Sequence, residues 1–332
     1  MLEVLEPGLL TTVQDDGRLD WTHLGVPIGG AADSWSLAVA NLLVGADADA
    51  AALEMTVTGP TLAVREAVRI GLAGADLGGV VRETGRRLMP GRSHALTAGT
   101  TVAFPGPPTA AGARAYLALP GGLDIPDVLG SASTLLSAGF GGLGGRALRA
   151  GDAVAAYAPY GEAAPPERAW PWLDGDPLAA LSTPGPLTLH IVKGPGPGAD
   201  ALVAATWRVR PDSDRVGLRL EATSGDAPLP ASEELLTHGV VRGAIQLPPG
   251  GMPLVLMADG QTTGGYPVAG VVARADHPLL GQVRPGTVLR FAAITADVAR
   301  AAWVDQCRLL ARGEAACRDP ESWDELWQSA GR

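Results

Sequence analysis

Three short stretches of this 332-residue chain repeat one device. Ala98-Gly99-Thr100-Thr101-Val102-Ala103-Phe104, Ala150-Gly151-Asp152-Ala153-Val154-Ala155-Ala156-Tyr157 and Pro285-Gly286-Thr287-Val288-Leu289-Arg290-Phe291 each set a glycine turn ahead of an alternating strand. Glycine reverses the chain at no steric cost, and period-two alternation gives the strand one buried face. The units are too short for a solenoid. Because they occur in both halves, they predict two β-barrels assembled from similar turn-strand pieces. The 45 Gly and 28 Pro, in a sequence only 5% aromatic, favour many short strands over long helices. At this length one small core is not enough, and two domains are expected.

Further strands are expected at Arg69–Ala75, Gly79–Glu83, Arg114–Leu119 and Leu187–Val192. The Pro-, Ala- and charge-rich run from Tyr160 to Pro186 marks a boundary. It leaves an N-terminal β-barrel domain over 1–165, a second barrel over 186–294 and a helical tail over 295–332. The fold class is therefore mainly β with a few short helices. One helix is expected from Asp33, its N-cap, through Trp35, Leu37 and Asn41 to Gly45, its C′ residue. In the tail, Thr295 caps a helix whose stripe is read as Val298, Ala301, Ala302 and Leu309, and Asp319-Pro320-Glu321 starts a second. The tail reads as a packing or partner-docking element.

Several function classes fall away. A net charge of −10 argues against nucleic acid or an anionic membrane as the main partner. With no apolar run of membrane-span length and no signal-peptide pattern at the N-terminus, a cytoplasmic location is expected. Cys307 and Cys317 lack the spacing and number of a zinc site, so no metal is expected. Lys193 is the only lysine. No Gly-x-x-x-x-Gly-Lys-Ser/Thr sequence occurs, and Val192 and Gly194 around Lys193 do not give the Met-Lys-Met setting of a biotinylated lysine.

The polar chemistry concentrates in two places. Between the apolar runs Pro253–Met257 and Val268–Ala273 lies Asp259-Gly260-Gln261-Thr262-Thr263-Gly264-Gly265-Tyr266-Pro267. It offers a carboxylate, an amide, two hydroxyls and a phenol beside a glycine pair that can turn its amides onto an anion. The same stretch also makes an ordinary hairpin loop. Near the start, Val13-Gln14-Asp15-Asp16-Gly17-Arg18 and His23-Leu24-Gly25-Val26-Pro27-Ile28-Gly29-Gly30-Ala31-Ala32-Asp33 form a long loop, of the kind that carries function or is held by local salt bridges and caps. Asn41 shares a helix face with Asp33 and either contacts a ligand or hydrogen-bonds a neighbouring backbone. Arg215, in Asp212-Ser213-Asp214-Arg215, either grips a carboxylate or phosphate or pairs with Asp212. Phe140-Gly141-Gly142-Leu143-Gly144-Gly145-Arg146 is a weak phosphate cradle or a mobile loop.

Taken together, Val13-Gln14-Asp15-x-Gly17-Arg18, Gly25-Val26-Pro27-x-Gly29-Gly30-Ala31-x-Asp33, Asn41-x-Leu43-Val44-Gly45, Leu53-Glu54, Ser213-Asp214-Arg215-x-Gly217, Gly243-Ala244-Ile245-Gln246-x-Pro248 and Gln261-Thr262-Thr263-Gly264-Gly265-Tyr266-Pro267 resemble the allophanate hydrolase subunit 2 family. The family includes KipA, the PxpC component of bacterial 5-oxoprolinase and the carboxyltransferase region of urea carboxylase. The resemblance covers the chain to about Ile294. It implies two cyclophilin-like β-barrel domains with a cleft between them, and work on a small amide or lactam. It further implies a KipI-like (PxpB) partner and, in 5-oxoprolinase, a LamB/YcsF-type (PxpA) subunit, the complex coupling ATP hydrolysis to opening 5-oxoproline into glutamate. Gly260 stands where the family commonly has Arg.

Lactam opening needs donors for the carbonyl oxygen, a cation or nest for phosphate, and a group to move protons. The expected set is Gln14, Asp15, Arg18, Asp33 and Asn41 from the first domain with Arg215, Gln246, Asp259, Thr262, Thr263, Gly264, Gly265 and Tyr266 from the second. In it Arg18 or Arg215 holds the substrate carboxylate, and Asp259 or Asp15 is the base. Tyr266 is a third catalytic candidate, and Thr262 to Gly265 form the oxyanion or phosphate nest. Two alternatives stand beside it: biotin-dependent carboxyl transfer to urea or another amide, and regulatory binding of a KipI-like kinase inhibitor.

Overall fold

A computed structural model describes residues 1–106, 112–157, 167–171, 175–223, 229 and 235–318. The expected helix at Asp319-Pro320-Glu321 lies outside them. The chain is mainly β and divides into two compact units. The first comprises Met1–Gly17, Asp33–Asp176 and the chain from Cys307 on; the second comprises Arg18–Ala32 and Pro177–Gln306.

In the first unit, strands β1 (Leu2–Glu6), β2 (Leu10–Gln14), β3 (Ala52–Thr56), β4 (Thr61–Val64) and β5 (Val68–Gly74) are followed by β6 (Val80–Val81), β7 (Arg92–Leu96), β8 (Thr101–Ala103), β9 (Arg114–Ala118) and β10 (Ala153–Val154). They form two five-stranded sheets, ordered β10-β1-β4-β8-β6 and β2-β3-β9-β5-β7. Gly8, with φ of 72°, lets the chain pass from the first sheet to the second between β1 and β2. Leu2, Val4, Leu62 and Val102 of one sheet and Leu53, Met55, Ile70 and Leu117 of the other share one buried core. Burying each such side chain contributes roughly 1.5–3 kcal/mol.

Helix α1 (Ser34–Leu43) covers the second sheet. Asp33 caps it, accepting from Ser36 N at 2.9 Å and Ser36 Oγ at 2.6 Å. Gly71 lets it lie close, since a Cβ there would overlap the Ala40 carbonyl. The expected cap and C′ glycine are both in place, Gly45 having φ of 76°.

The second unit adds β11 (Leu187–Lys193), α2 (Ala199–Ala204), β12 (Thr206–Val209), β13 (Gly217–Ala222), β14 (His238–Gly239), β15 (Ala244–Gln246), β16 (Leu254–Leu256), β17 (Thr263–Gly264), β18 (Val268–Val272), α3 (His277–Gln282) and β19 (Val288–Ile294). Seven strands close a barrel in the order β11-β18-β15-β16-β13-β12-β19, sealed by a parallel pairing of β11 with β19. Leu189, Ile191, Trp207, Leu220, Val255 and Phe291 fill it. Trp207 meets its one polar need by donating from Nε1 to Leu202 O at 2.9 Å. Strands β14 and β17 form a separate two-stranded ribbon.

The described part of the tail is one long helix, α4 (Ala296–Arg318), capped by Thr295, whose Oγ1 accepts from Val298 N at 3.3 Å. Its packing stripe differs from the expected one. Val298, Ala301 and Ala302 are exposed, whereas Leu309, Gly313, Ala316 and Cys317 are buried. In the second unit, Trp303 stacks under the Arg274 guanidinium and Gln306 donates to Ala275 O at 2.8 Å. In the first, Trp170 occupies the space that a side chain at Gly313 would need, and it meets Trp35 edge to face. Sequence periodicity alone missed this register because glycine and glutamine carry the contacts. No helix among the described residues is long and apolar enough to cross a membrane.

Candidate functional site

In the second unit the early loop and the Asp259 loop meet. Residues 18–28 close on themselves through Arg18 N to Ile28 O at 2.7 Å, around a 3-10 turn at Leu19–Leu24 that Gly25 ends in the left-handed conformation. The chain then runs onto the barrel. Gly29 N donates to Ala258 O at 3.1 Å, and Arg215 Nη2 donates to Gly30 O at 2.7 Å. Arg242 Nη1 donates to Ala31 O at 3.0 Å, and its Nη2 donates to Ala32 O. Two arginines thus hold three consecutive carbonyls.

Gly29 sits where these groups converge. Its φ is 66°, and a Cβ there would lie 3.5 Å from Arg18 Nη1 and 3.9 Å from Asp259 Oδ1. Arg18 is 1% exposed. Arg215 is not free to grip a substrate carboxylate, because its fork is closed on Asp259: Nε to Oδ2 at 2.9 Å and Nη2 to Oδ1 at 2.8 Å. Asp212, the alternative partner weighed from sequence, pairs with Arg210 instead. Asp259 is likewise committed, a positioning carboxylate whose Oδ1 lies on the Gly29 side.

The Thr-Thr-Gly-Gly segment is not the expected nest. Neither Gly264 nor Gly265 has φ in the left-handed region. Gly264 pairs with His238 in the small ribbon, and a Cβ on it would overlap Gln246 Nε2. Gln246 is fully buried in β15, and its Oε1 accepts from Gln261 Nε2 at 3.0 Å. Its own Nε2 is buried without an acceptor among the described residues. A buried amide donor with no acceptor is costly, which marks Gln246 Nε2 as a group suited to a carbonyl oxygen. Thr262, Gly265 and Tyr266 are half-buried and Thr263 is exposed in the same loop.

The remaining candidates, Gln14, Asp15, Asp33 and Asn41, lie in the first unit, where each has a structural bond. The Asp15 carboxylate accepts from Ser131 Oγ at 2.6 Å, Ala132 N at 2.6 Å, Gly17 N at 2.8 Å and also Ser133 Oγ. So many donors on one carboxylate tie the 131–133 loop down and occupy both of its oxygens. Gln14 Nε2 reaches Thr12 Oγ1 and Thr134 O, and Asn41 Nδ2 donates to Ala50 O at 2.7 Å. Of the two readings of Asn41, the backbone one is observed. Asp33 N donates to Tyr116 Oη at 2.8 Å, and Tyr116 Oη donates to Glu54 Oε2 at 2.7 Å. Burial first, then the Glu54 charge, pushes the Tyr116 phenol well above its usual range.

Residues 24–293 match the carboxyltransferase domain, subdomain A and B. The chain belongs to that family. This carboxyltransferase-domain protein is 35% identical to the C subunit of 5-oxoprolinase from Escherichia coli (strain K12), over 93% of this chain and 96% of the relative. Its fold is like that of TTHA0988, with a TM-score of 0.75 and 35% identity, covering 88% of this chain and 56% of the other. It is also like Kluyveromyces lactis urea carboxylase, with a TM-score of 0.81 and 28% identity, over 95% of this chain and 29% of that one. The chain thus spans little more than half of TTHA0988 and less than a third of the urea carboxylase.

Sequence reasoning missed Arg242, Tyr116, Ser131 and Ser133. Arg242 stands directly before the Gly243-Ala244-Ile245-Gln246 motif, a signal that position alone offered. The serines bond to Asp15 across more than 100 residues, which no local pattern reveals. The Gly-rich 139–145 segment does not fit a phosphate cradle. Its Gly139, Gly142 and Gly145 amides bond the carbonyls of Leu135, Ala132 and Gly141.

Proposed function

We propose that this protein is the C (PxpC-type) component of an ATP-dependent 5-oxoprolinase, acting with a KipI-like (PxpB-type) and a LamB/YcsF-type (PxpA) subunit. The net reaction joins 5-oxoproline, ATP and two waters to give glutamate, ADP and phosphate. The lactam C–N bond breaks, oxygen adds to the carbon and nitrogen gains the proton. The observation that carries this reading is the near end-to-end match to a stand-alone 5-oxoprolinase component, 96% of its length. The urea carboxylase match, by contrast, covers 29% of a larger chain.

The second unit supplies suitable groups. Arg18, whose Nη1 lies against Gly29, takes the substrate carboxylate, while the Arg215–Asp259 pair flanks the same glycine. Gln246 Nε2 donates to the lactam oxygen, the group whose negative charge grows as the ring opens. Tyr266 and the Thr262 and Thr263 hydroxyls lie in the same loop for proton movement. Among the described residues the Gly139, Gly142 and Gly145 amides are taken by backbone carbonyls, which argues against a phosphate cradle in that segment. ATP is therefore assigned to the complex, and no step on this chain runs through it.

The test is ATP-dependent glutamate formation from 5-oxoproline by the reconstituted complex, with this chain left out or carrying Gln246→Leu. Undiminished activity in either case ends the proposal. Carboxyl transfer is the second reading, favoured by the family match and the urea carboxylase fold, and a buried amide donor suits a ureido carbonyl as well as a lactam. Transfer from carboxybiotin to a urea-type acceptor, without glutamate formation, selects it. Capture of a KipI-like protein with neither activity selects regulatory binding.

A further inference from the structure

We propose that the first unit holds a second binding site, for a small tetrahedral oxyanion such as inorganic phosphate, formed by Arg69, Arg168 and Ser93. In the β5–β7 register Arg69 opposes Ala95 and Gly71 opposes Ser93. Gly71 faces α1, so Arg69, two residues away on the same strand, lies on the same helix-covered face. Its side chain is 6% exposed. Among the described residues its one bond, Nη1 to Ser93 Oγ at 3.5 Å, is at the outer limit of a hydrogen bond, and its buried Nε has no partner. No carboxylate pairs with it among the described residues.

Arg168 arrives at the same serine. Its backbone N donates to Ser93 Oγ at 2.7 Å, and Ser93 N donates back to Arg168 O at 2.8 Å. The Arg168 guanidinium reaches Leu42 O, in the last turn of α1, at 3.4 Å, and its Nε is also buried without a partner. The nearest acid in sequence, Glu167, instead accepts from Ala95 N and lies 4.0 Å from Arg86. The negative end of α1 offsets part of one charge and none of the second. A buried guanidinium lacking a counter-charge is costly, and unpaired buried donors call for a missing partner. The Arg69 fork and the Arg168 backbone N–H both end at the Ser93 hydroxyl, a donor set that matches an oxyanion. A site this deeply buried excludes a nucleotide.

Thermal unfolding of the full chain in rising inorganic phosphate, at ionic strength fixed with chloride, tests this independently of any activity. The expected result is a saturable rise in Tm that needs at least tenfold more phosphate in Arg168→Gln and is absent in Arg69→Met. Arg168 is only partly buried, so its variant carries the test if Arg69→Met does not fold. ADP at matched concentration leaves Tm unchanged. No phosphate effect, an equal effect in all three proteins, or a response to glutamate or ADP in place of phosphate overturns the proposal.

Discussion

Arg215 and Asp259 close on each other at two points, 2.9 and 2.8 Å, with side chains only 4% and 3% exposed. An ion pair sealed this way stabilises little against an apolar substitute, yet breaking one half strands the other charge. Arg215→Ala and Asp259→Asn should each cost about 3–5 kcal/mol in urea unfolding. Arg215→Lys should recover only a fraction, because an ammonium cannot span both carboxylate oxygens. Unchanged stability in both single variants contradicts a sealed pair.

Gln246 separates stability from function. Among the described residues its Nε2 has no acceptor, so Gln246→Leu removes an unsatisfied donor together with one bond from the exposed Gln261, and should leave unfolding within about 1 kcal/mol of wild type. Activity of the reconstituted complex should fall about 100-fold if that amide serves the reacting oxygen. A variant equally stable and equally active removes Gln246 from the site.

Tyr116 predicts an alkaline sensitivity. The folded state keeps the phenol protonated well above its usual range, while the unfolded chain ionises near pH 10. Above that pH the unfolded state binds fewer protons, so stability falls as pH rises; below it the contribution is complete. Tyr116→Phe should lose about 1–3 kcal/mol at neutral pH, from the buried Glu54 and Asp33 partners, and flatten the alkaline slope. Unfolding curves at pH 8 and 10.5 decide it.

His277 gives the acid limb. Burial first, then Arg242, lowers its imidazole to about 3, and its Nε2 would sit 2.9 Å from a Cβ at Gly243. From pH 6.5 down to about 3 the unfolded chain takes up a proton that the folded one refuses, so stability is lost as pH falls. The slope should be about 1.4 kcal/mol per pH unit. His277→Gln should abolish that part of the slope in unfolding measured at pH 4 and 6.

Gly313→Ala sets helix propensity against sterics. Alanine normally favours a helix interior by about 1 kcal/mol. Here its methyl would overlap the Trp170 ring, and we expect a net loss of about 1–3 kcal/mol with a changed Trp fluorescence spectrum.

What the sequence made legible follows from locality. The Asp33 cap, the strands near Arg69, Thr101, Arg114 and Leu187, and the mainly β class all rest on neighbours within a few residues. Motif order carried the family because it does not depend on geometry. Side-chain partnership was opaque. Arg215 had an acid three residues away and chose one 44 residues on, because burial favours the partner that can be sealed with it. Asp15 looked like a base, and serines over 100 residues away made it an anchor. Glycine also misled: 264 and 265 read as a nest by type, whereas Gly264 is small to make room for Gln246.

The loan of residues 18–32 to the second barrel means that the linear boundary near Pro177 is a poor place to cut. A fragment expressed from there would keep Arg215 and Arg242 but forfeit the peptide oxygens of Gly30, Ala31 and Ala32 that both guanidiniums reach for. Dissection of this protein into halves therefore has to transplant the early segment along with the later barrel.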